Sequence, residues 1–183
     1  MKPSTCLVLL CLGFACGAEF NKEDTRCILQ QVPVESPEQA KPCPPLWTTY
    51  GGNCYRYFGK TTSWEEAEDN CHGYHNGDVK GHVVSVHDQG EHDLLLEMWK
   101  TSISSCDNGL QLMWLGGKKL GNNFEWVDHT EVDRPLWLAG EPNNSGGREN
   151  CLQWVNDKSR DGWNDAPCDR KYPYICKLPL SQD

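Results

Sequence analysis

Five carboxylate and amide side chains lie in two short stretches in the last third of the 183-residue sequence. The first stretch is Glu141-Pro142-Asn143, which is followed by Glu149, and the second contains Asn164-Asp165. These side chains offer oxygen ligands, with no histidine or thiolate among them. Calcium accepts about six to eight such oxygens on flexible loops, whereas zinc or copper calls for nitrogen or sulfur. The two stretches together therefore indicate a calcium site.

The helices that must support these stretches can be predicted from their capping residues. Ser63-Trp64-Glu65-Glu66 is a capping-box pattern that opens a helix through about Cys71. Asp88-Gln89-Gly90-Glu91 is a second capping-box pattern. The helix that it opens carries the apolar residues Leu94, Leu95, Met98 and Trp99.

Short strands are predicted before, between and after these helices along the chain. Trp47–Tyr50 and Cys54–Phe58 flank Gly51-Gly52-Asn53, a pattern typical of a hairpin. Further strands are predicted at Val83–Val86, Leu112–Leu115, Phe124–Val127, Cys151–Val155 and Tyr172–Lys177. Two helices followed by strands with long loops predict an α+β domain. Residues 128–151 have little periodicity, and long loops of this kind are uncommon unless they are functional.

The composition limits the classes of function. The chain has 17 basic and 26 acidic residues, a formal net charge of −9. This balance argues against binding to nucleic acid or to an anionic membrane, because both require a basic surface. The hydrophobic fraction of 38% and the eight tryptophans are compatible with a packed core.

The first 18 residues have the pattern of a secretory signal peptide, with Lys2, a short apolar run and small residues before Glu19. The apolar run is shorter than the about 20 residues that span a bilayer, so we expect secretion without membrane insertion. Residues 19–42 are predicted to be an N-terminal extension or linker, 43–178 one domain and 179–183 a C-terminal tail. Removal of the leader takes away three of the 11 cysteines and leaves eight, an even number that indicates disulfides in an exported chain.

Three tripeptides and six cysteines follow one another in a distinctive order. They are Cys43, Cys54, Cys71, Trp114-Leu115-Gly116, Glu141-Pro142-Asn143, Cys151, Trp163-Asn164-Asp165, Cys168 and Cys176. Each tripeptide alone is weak evidence, but the whole series over residues 43–177 is strong. In this order the residues resemble a C-type lectin domain of the long form, with an extra N-terminal hairpin. This domain has two helices, small antiparallel sheets and a long calcium-binding loop region.

The resemblance implies a cis peptide bond before Pro142 and a single bound Ca²⁺. It implies the bridges Cys43–Cys54, Cys71–Cys176 and Cys151–Cys168. The implied calcium ligands, which also bind carbohydrate, are Glu141, Asn143, Glu149, Asn164 and Asp165, with Asp165 also offering its backbone carbonyl. Two coordination places remain for vicinal sugar hydroxyls, each of which can also donate to a carboxylate and accept from an amide.

The order Glu141, Pro142, Asn143 resembles the mannose-type arrangement, which suits mannose, N-acetylglucosamine and fucose-like sugars. The resemblance therefore implies a secreted lectin for cell-surface or microbial glycans, with no enzyme activity. A tryptophan stacked on the sugar, Trp137 or Trp154, would instead favour galactose. A further alternative is a domain of this fold that binds a protein, ice or a mineral.

Two cysteines have no assigned partner. Cys27 and Cys106 either bridge the extension to the domain or link chains into a disulfide-linked homo-oligomer. Joining several weak sugar sites in this way would raise avidity by a factor on the order of 10²–10⁴. Catalysis has little support, because His87 and His92 lie on different faces of a helix and the resemblance places Cys71 in a disulfide.

Overall fold

The computed structural model describes residues 42–102, 111–157 and 159–180. The predicted leader, nearly all of the extension, Cys27, Cys106 and the last three residues of the tail lie outside these ranges. The described helices are α1 (Trp64–His72) and α2 (Gln89–Ser102). The strands are β1 (Thr48–Tyr50), β2 (Asn53–Thr62), β3 (His75–Asn76), β4 (Val79–Lys80), β5 (His82–Val83), β6 (Gln111–Leu120), β7 (Asn123–Trp126), β8 (Glu149–Asn156), β9 (Asp161–Pro167) and β10 (Tyr172–Pro179).

Eight of the strands form one sheet. Its main order is β1-β2-β10-β6-β8-β9, with β5 paired to β10 and β7 paired to β6. The pairing of β10 with β6, at Tyr174 and Trp114, is parallel, and the other pairings in this sheet are antiparallel. Strands β3 and β4 form a separate antiparallel pair. The α+β prediction is confirmed, and neither α1 nor α2 is long and apolar enough to cross a membrane.

Capping residues explain where both helices begin. The Ser63 hydroxyl accepts from the backbone N–H of Glu66, whose carboxylate in turn accepts from the N–H of Ser63 at 3.0 Å. This reciprocal capping box is the predicted one. At α2, the Asp88 carboxylate accepts from the N–H of Glu91 at 2.7 Å, but the Glu91 carboxylate accepts from the N–H of His87. The second box therefore differs from the prediction, because Glu91 points into the protein interior.

The interior is rich in tryptophan. The four tryptophans placed on predicted elements, Trp64, Trp99, Trp114 and Trp126, are at most 3% exposed. Two of them donate hydrogen bonds that join elements, from Trp64 Nε1 to the Leu115 carbonyl at 2.8 Å and from Trp114 Nε1 to the Thr62 carbonyl at 2.9 Å. These bonds connect α1 and the end of β2 to the central strand β6.

A buried ion pair fixes α2 against the sheet. Lys177 of β10 donates from Nζ to Glu91 Oε1 at 2.7 Å and to the Ser85 hydroxyl at 3.1 Å. The Tyr55 hydroxyl donates to the same Glu91 oxygen at 2.6 Å. Burial, followed by the hydrogen bond to Glu91, raises the pKa of Tyr55 far above its ordinary value. Because Glu91 is buried, these two donors and the N–H of His87 together satisfy a carboxylate that would otherwise be costly in the interior.

All three predicted disulfides are present. Cys43–Cys54 closes the N-terminal hairpin, Cys71–Cys176 joins α1 to β10, and Cys151–Cys168 joins β8 to the segment after β9. The Cys71 sulfur is therefore part of a bridge and is not a nucleophile.

Candidate functional site

Strands β8 and β9 form the base on which the predicted calcium ligands lie. In their antiparallel register Gln153 lies opposite Asn164, and Leu152 lies opposite Asp165. The irregular loop that precedes β8 runs beside β9, because the N–H of Trp163 donates to the Leu136 carbonyl at 2.7 Å and the N–H of Leu138 donates to the Trp163 carbonyl at 2.9 Å. This backbone pairing brings residues 141–144 next to Asn164 and Asp165.

Asp165 holds the turn that contains Glu141-Pro142-Asn143. Its fully buried carboxylate accepts from the backbone N–H of Asn143 at 2.9 Å with Oδ1 and from that of Asn144 at 2.8 Å with Oδ2. The Glu141–Pro142 peptide bond is cis, as the sequence resemblance implies. One carboxylate therefore orders two successive peptide groups.

Glu149 closes the other side of the same loop. Its Oε2 accepts from the N–H of Ser145 at 2.6 Å, and its own N–H donates to the Asn144 side-chain carbonyl at 3.1 Å. Asn144 adopts the left-handed conformation with φ 47°, and a 3₁₀ turn follows over Ser145–Gly147. The chain thus reverses within a few residues, which brings Glu149 to the cluster that contains Glu141.

Asn164 is positioned from two directions. Its amide nitrogen donates to Gln153 Oε1 at 3.2 Å and to the backbone carbonyl of Asp165 at 2.6 Å. The Asp165 carbonyl, which the resemblance offers as a calcium ligand, is therefore already engaged by one internal hydrogen bond. A carbonyl oxygen has two lone pairs, so this bond leaves one free.

Three carboxylates converge in this loop. Glu141 Oε2 is buried and has no hydrogen-bond partner among the residues that the structure describes. The pKa of Glu141 lies above its ordinary value, chiefly because burial disfavours the charged form and also because Asp165 and Glu149 are negatively charged. A buried carboxylate oxygen beside two like charges fits a hard divalent cation. The donor set of carboxylates and amides suits calcium better than zinc or copper.

The nearby tryptophans serve the interior. Trp154 is fully buried, and its Nε1 donates to Asp161 at 2.6 Å, so it cannot stack on a sugar. The suggestion that Trp154 stacks on galactose was therefore wrong. Trp163 is also fully buried, with Trp126 and Trp137 in edge contact at ring-centroid distances of 5.2 and 6.1 Å. Trp137 remains partly exposed.

All five predicted ligand residues lie in one cluster, together with two residues, Gln153 and Asn144, that were outside the predicted ligand set. Gln153 orients Asn164, and its own Nε2 is buried without a partner among the described atoms. Asn144 links the Asp165 carboxylate to Glu149. The position of Asn144 directly after Glu141-Pro142-Asn143 was a usable signal, but the role of Gln153 depends on strand register, which was not predicted.

Comparison with known proteins agrees with this architecture. Residues 60–178 match the family model described as lectin C-type domain. Echinoidin from Heliocidaris crassispina is 36% identical over 146 residues, which cover 75% of this chain and 97% of echinoidin. The alpha-N-acetylgalactosamine-specific lectin from Patiria pectinifera is 37% identical over 149 residues, 78% of this chain and 86% of that lectin. The crystal structure of the C-type lectin CEL-I from Cucumaria echinata superposes with a TM-score of 0.69 at 29% identity, covering 77% of this chain and 100% of CEL-I. The family match and the fold identify this chain as a member of the C-type lectin domain family.

Proposed function

We propose that this protein is a secreted, calcium-dependent lectin that recognises mannose-type sugars on cell surfaces or microbes. The observation that carries the proposal is the cluster of Glu141, Glu149 and Asp165. One of these carboxylates, Glu141, has a buried oxygen without a hydrogen-bond partner in the described part of the chain. Such a cluster is stabilised by a divalent cation, because the cation compensates the like charges.

Calcium would be held by Glu141, Asn143, Glu149, Asn164 and Asp165. When bound, it supplies open coordination positions for two vicinal sugar hydroxyls. Glu141 and Glu149 then accept hydrogen bonds from these hydroxyls, while the amides of Asn143 and Asn164 donate to them. Hydrogen bonds to charged groups are stronger than neutral ones and offset the loss of water from the sugar.

The order of acceptor and donor around Pro142 supports mannose-type specificity. Glu141 offers an acceptor before the proline, and Asn143 offers a donor after it. Galactose specificity is the second candidate, because the Patiria pectinifera relative is named as an alpha-N-acetylgalactosamine-specific lectin. Trp137 is the aromatic residue near the loop that remains partly exposed for stacking on galactose.

Secretion and assembly belong to the same proposal. The leader pattern of residues 1–18 and the three disulfides suit an exported protein, since disulfides persist in oxidising compartments. Cys27 and Cys106 would link chains into a homo-oligomer, which presents several sugar sites at once. Sugar binding of this kind requires no catalytic group.

A glycan array, probed with calcium and with a chelator, tests the proposal. We expect binding to mannose-type glycans that is lost with the chelator and in Glu141→Gln. Glu97→Gln makes the same chemical change at an exposed position on α2 and should bind like the wild type. Absence of calcium-dependent binding to any sugar would contradict the proposal and would favour a protein, ice or mineral ligand.

An exchange of two side chains tests the specificity separately. The double variant Glu141→Gln, Asn143→Asp reverses the acceptor–donor order around the proline and should shift the preference toward galactose. If wild type and variant prefer the same sugars, other residues determine specificity. Calcium dependence would be unaffected by that result.

A further inference from the structure

The geometry points to a second metal site on this protein, formed by Glu68, His72 and His82, for Zn²⁺ or a similar divalent transition metal. These three residues take no part in the proposed lectin site. Each presents one ligand atom, and the three atoms lie within 4.8 Å of one another. Two imidazole nitrogens and one carboxylate oxygen are a ligand set that zinc uses in proteins, with a fourth position open to solvent.

The local fold determines how these side chains meet. Glu68 and His72 are four residues apart on α1, so they share one face of the helix. His82 begins β5, which pairs with β10 through His82 opposite Lys177 and Val83 opposite Cys176. Helix α1 packs on β5, and the cluster therefore bridges these two consecutive parts of the chain, with Glu68 and His82 separated by 14 residues.

The distances within the cluster match a half-formed coordination shell. Glu68 Oε1 lies 2.9 Å from His72 Nε2 and 2.6 Å from His82 Nδ1, and the two nitrogens are 3.3 Å apart. The three distances are the sides of a triangle formed by the ligand atoms. A point about 2.0 Å from all three atoms, the usual zinc–ligand distance, lies about 1 Å above the plane of this triangle. Tetrahedral ligands at this distance from a metal lie about 3.3 Å apart, so Glu68 Oε1 would move away from the two nitrogens by a few tenths of an ångström when a metal binds.

A backbone hydrogen bond orients the Glu68 carboxylate toward the proposed metal position. Its second oxygen, Oε2, accepts from the backbone N–H of Val83 at 2.8 Å, which directs Oε1 toward the two imidazoles. Outer contacts of this kind fix the orientation of metal ligands. The side chains of His72 and His82 are 34% and 22% exposed and that of Glu68 is 11% exposed, so an ion can enter and a water can complete the shell.

A disulfide makes the arrangement rigid. Cys71, the residue before His72, is bonded to Cys176, and Cys176 is the strand partner of Val83, the residue after His82. The backbones that carry the two histidines are thus tied together next to the ligands. A preformed site loses little entropy when a metal binds, which favours affinity.

Zinc titration into the purified full chain, with calcium in excess, tests the site. Competition with a chromophoric chelator measures the zinc affinity and stoichiometry, and the visible absorption of bound Co²⁺ reports the coordination geometry. We expect one site per chain with a tetrahedral Co²⁺ spectrum. His72→Gln and His82→Gln should each weaken zinc binding by more than about 100-fold, because even outer contacts of a metal site cost about 10–100-fold when they are lost.

His75→Gln is the matched control, because His75 is exposed on the neighbouring strand β3 and has no ligand atom in the cluster. Zinc should raise the melting temperature of the wild type and of His75→Gln, since a ligand that binds the folded state stabilises it, but not that of His72→Gln. Circular dichroism and calcium-dependent sugar binding verify that each variant is folded.

Two results would overturn the inference. One is the absence of zinc binding by a folded wild-type chain, which would mean that the three side chains form only a hydrogen-bonded cluster. The other is equal zinc affinity in the wild type, His72→Gln and His82→Gln, which would assign the zinc to other residues. Either result would leave the proposed lectin function untouched.

Discussion

Asp165→Asn tests how far one carboxylate orders the loop that contains Glu141-Pro142-Asn143. Asp165 is fully buried, and its two oxygens accept separately from the N–H groups of Asn143 and Asn144 at 2.9 and 2.8 Å. Asparagine has one acceptor oxygen and one NH₂ group. One of the two backbone N–H groups would therefore lose its acceptor and face another donor.

The expected magnitude follows from these two bonds. A hydrogen bond to a charged group contributes about 1.5–3 kcal/mol, and the variant keeps one of the two. We expect the free energy of unfolding without calcium to fall by at most about 1.5–3 kcal/mol, because loss of the Asp165 charge also relieves its repulsion of Glu141. If the loop must be ordered to bind calcium, this loss alone lowers the calcium affinity by about 10–100-fold, since each 1.4 kcal/mol is tenfold. The removal of a negatively charged ligand adds to the effect.

Urea denaturation in the presence of a chelator measures the first quantity, and calorimetric calcium titration measures the second. Asp157→Asn is the matched control, because Asp157 Oδ1 also accepts from two backbone N–H groups, those of Ser159 and Arg160, in the turn after β8. Both of these bonds go to one oxygen, which asparagine retains. The control should keep the wild-type calcium affinity.

The reasoning would be refuted by an Asp165→Asn protein whose unfolding free energy and calcium affinity both match the wild type. Equal losses of calcium affinity in Asp165→Asn and Asp157→Asn would also contradict it, because the effect would then not be specific to the loop that carries Glu141.

The remaining predictions concern the packing that supports the site. Lys177→Met leaves the buried Glu91 carboxylate without its 2.7 Å ammonium partner, so unfolding free energy in urea should fall by about 3–5 kcal/mol; a loss below 1 kcal/mol would contradict this role. Ser63→Ala removes the α1 cap and should cost about 1 kcal/mol in the same assay, whereas Glu66→Gln keeps a capping acceptor and should cost less. The hydrogen bonds from Lys171 and Ser63 lower the pKa of Glu66 to about 2. A carboxylate with a lowered pKa in the folded state stabilises the protein above its unfolded-state pKa and loses this contribution as the pH falls through about 2. The effect of Glu66→Gln should therefore vanish over that range in pH-dependent denaturation, and a constant effect would argue against the Lys171 contact.

Much of the fold could be predicted because its signals are local. The capping box at Ser63 and Glu66, the apolar spacing of α2 and the glycines of the first hairpin act within a few residues of one another. The three disulfides came from the resemblance in cysteine order. The predicted ligands Glu141 and Asp165 were recognisable because each belongs to a short motif.

The rest depends on contacts between distant residues. Strand β9 was not predicted, because the motif Trp163-Asn164-Asp165 has no alternating pattern of apolar residues. These residues form a strand because they pair with β8. The role of Gln153 follows from that register. The meeting of Glu68 with His82 depends on how α1 packs against β5, and a one-residue change of register would separate them.

The most direct test of the central claim is a crystal structure of the protein soaked with calcium and methyl α-mannoside. The account predicts one calcium ion bound by Glu141, Asn143, Glu149, Asn164 and Asp165. Two neighbouring sugar hydroxyls should coordinate this ion and contact the same side chains. A calcium ion elsewhere, or a sugar bound away from this loop, would contradict the account.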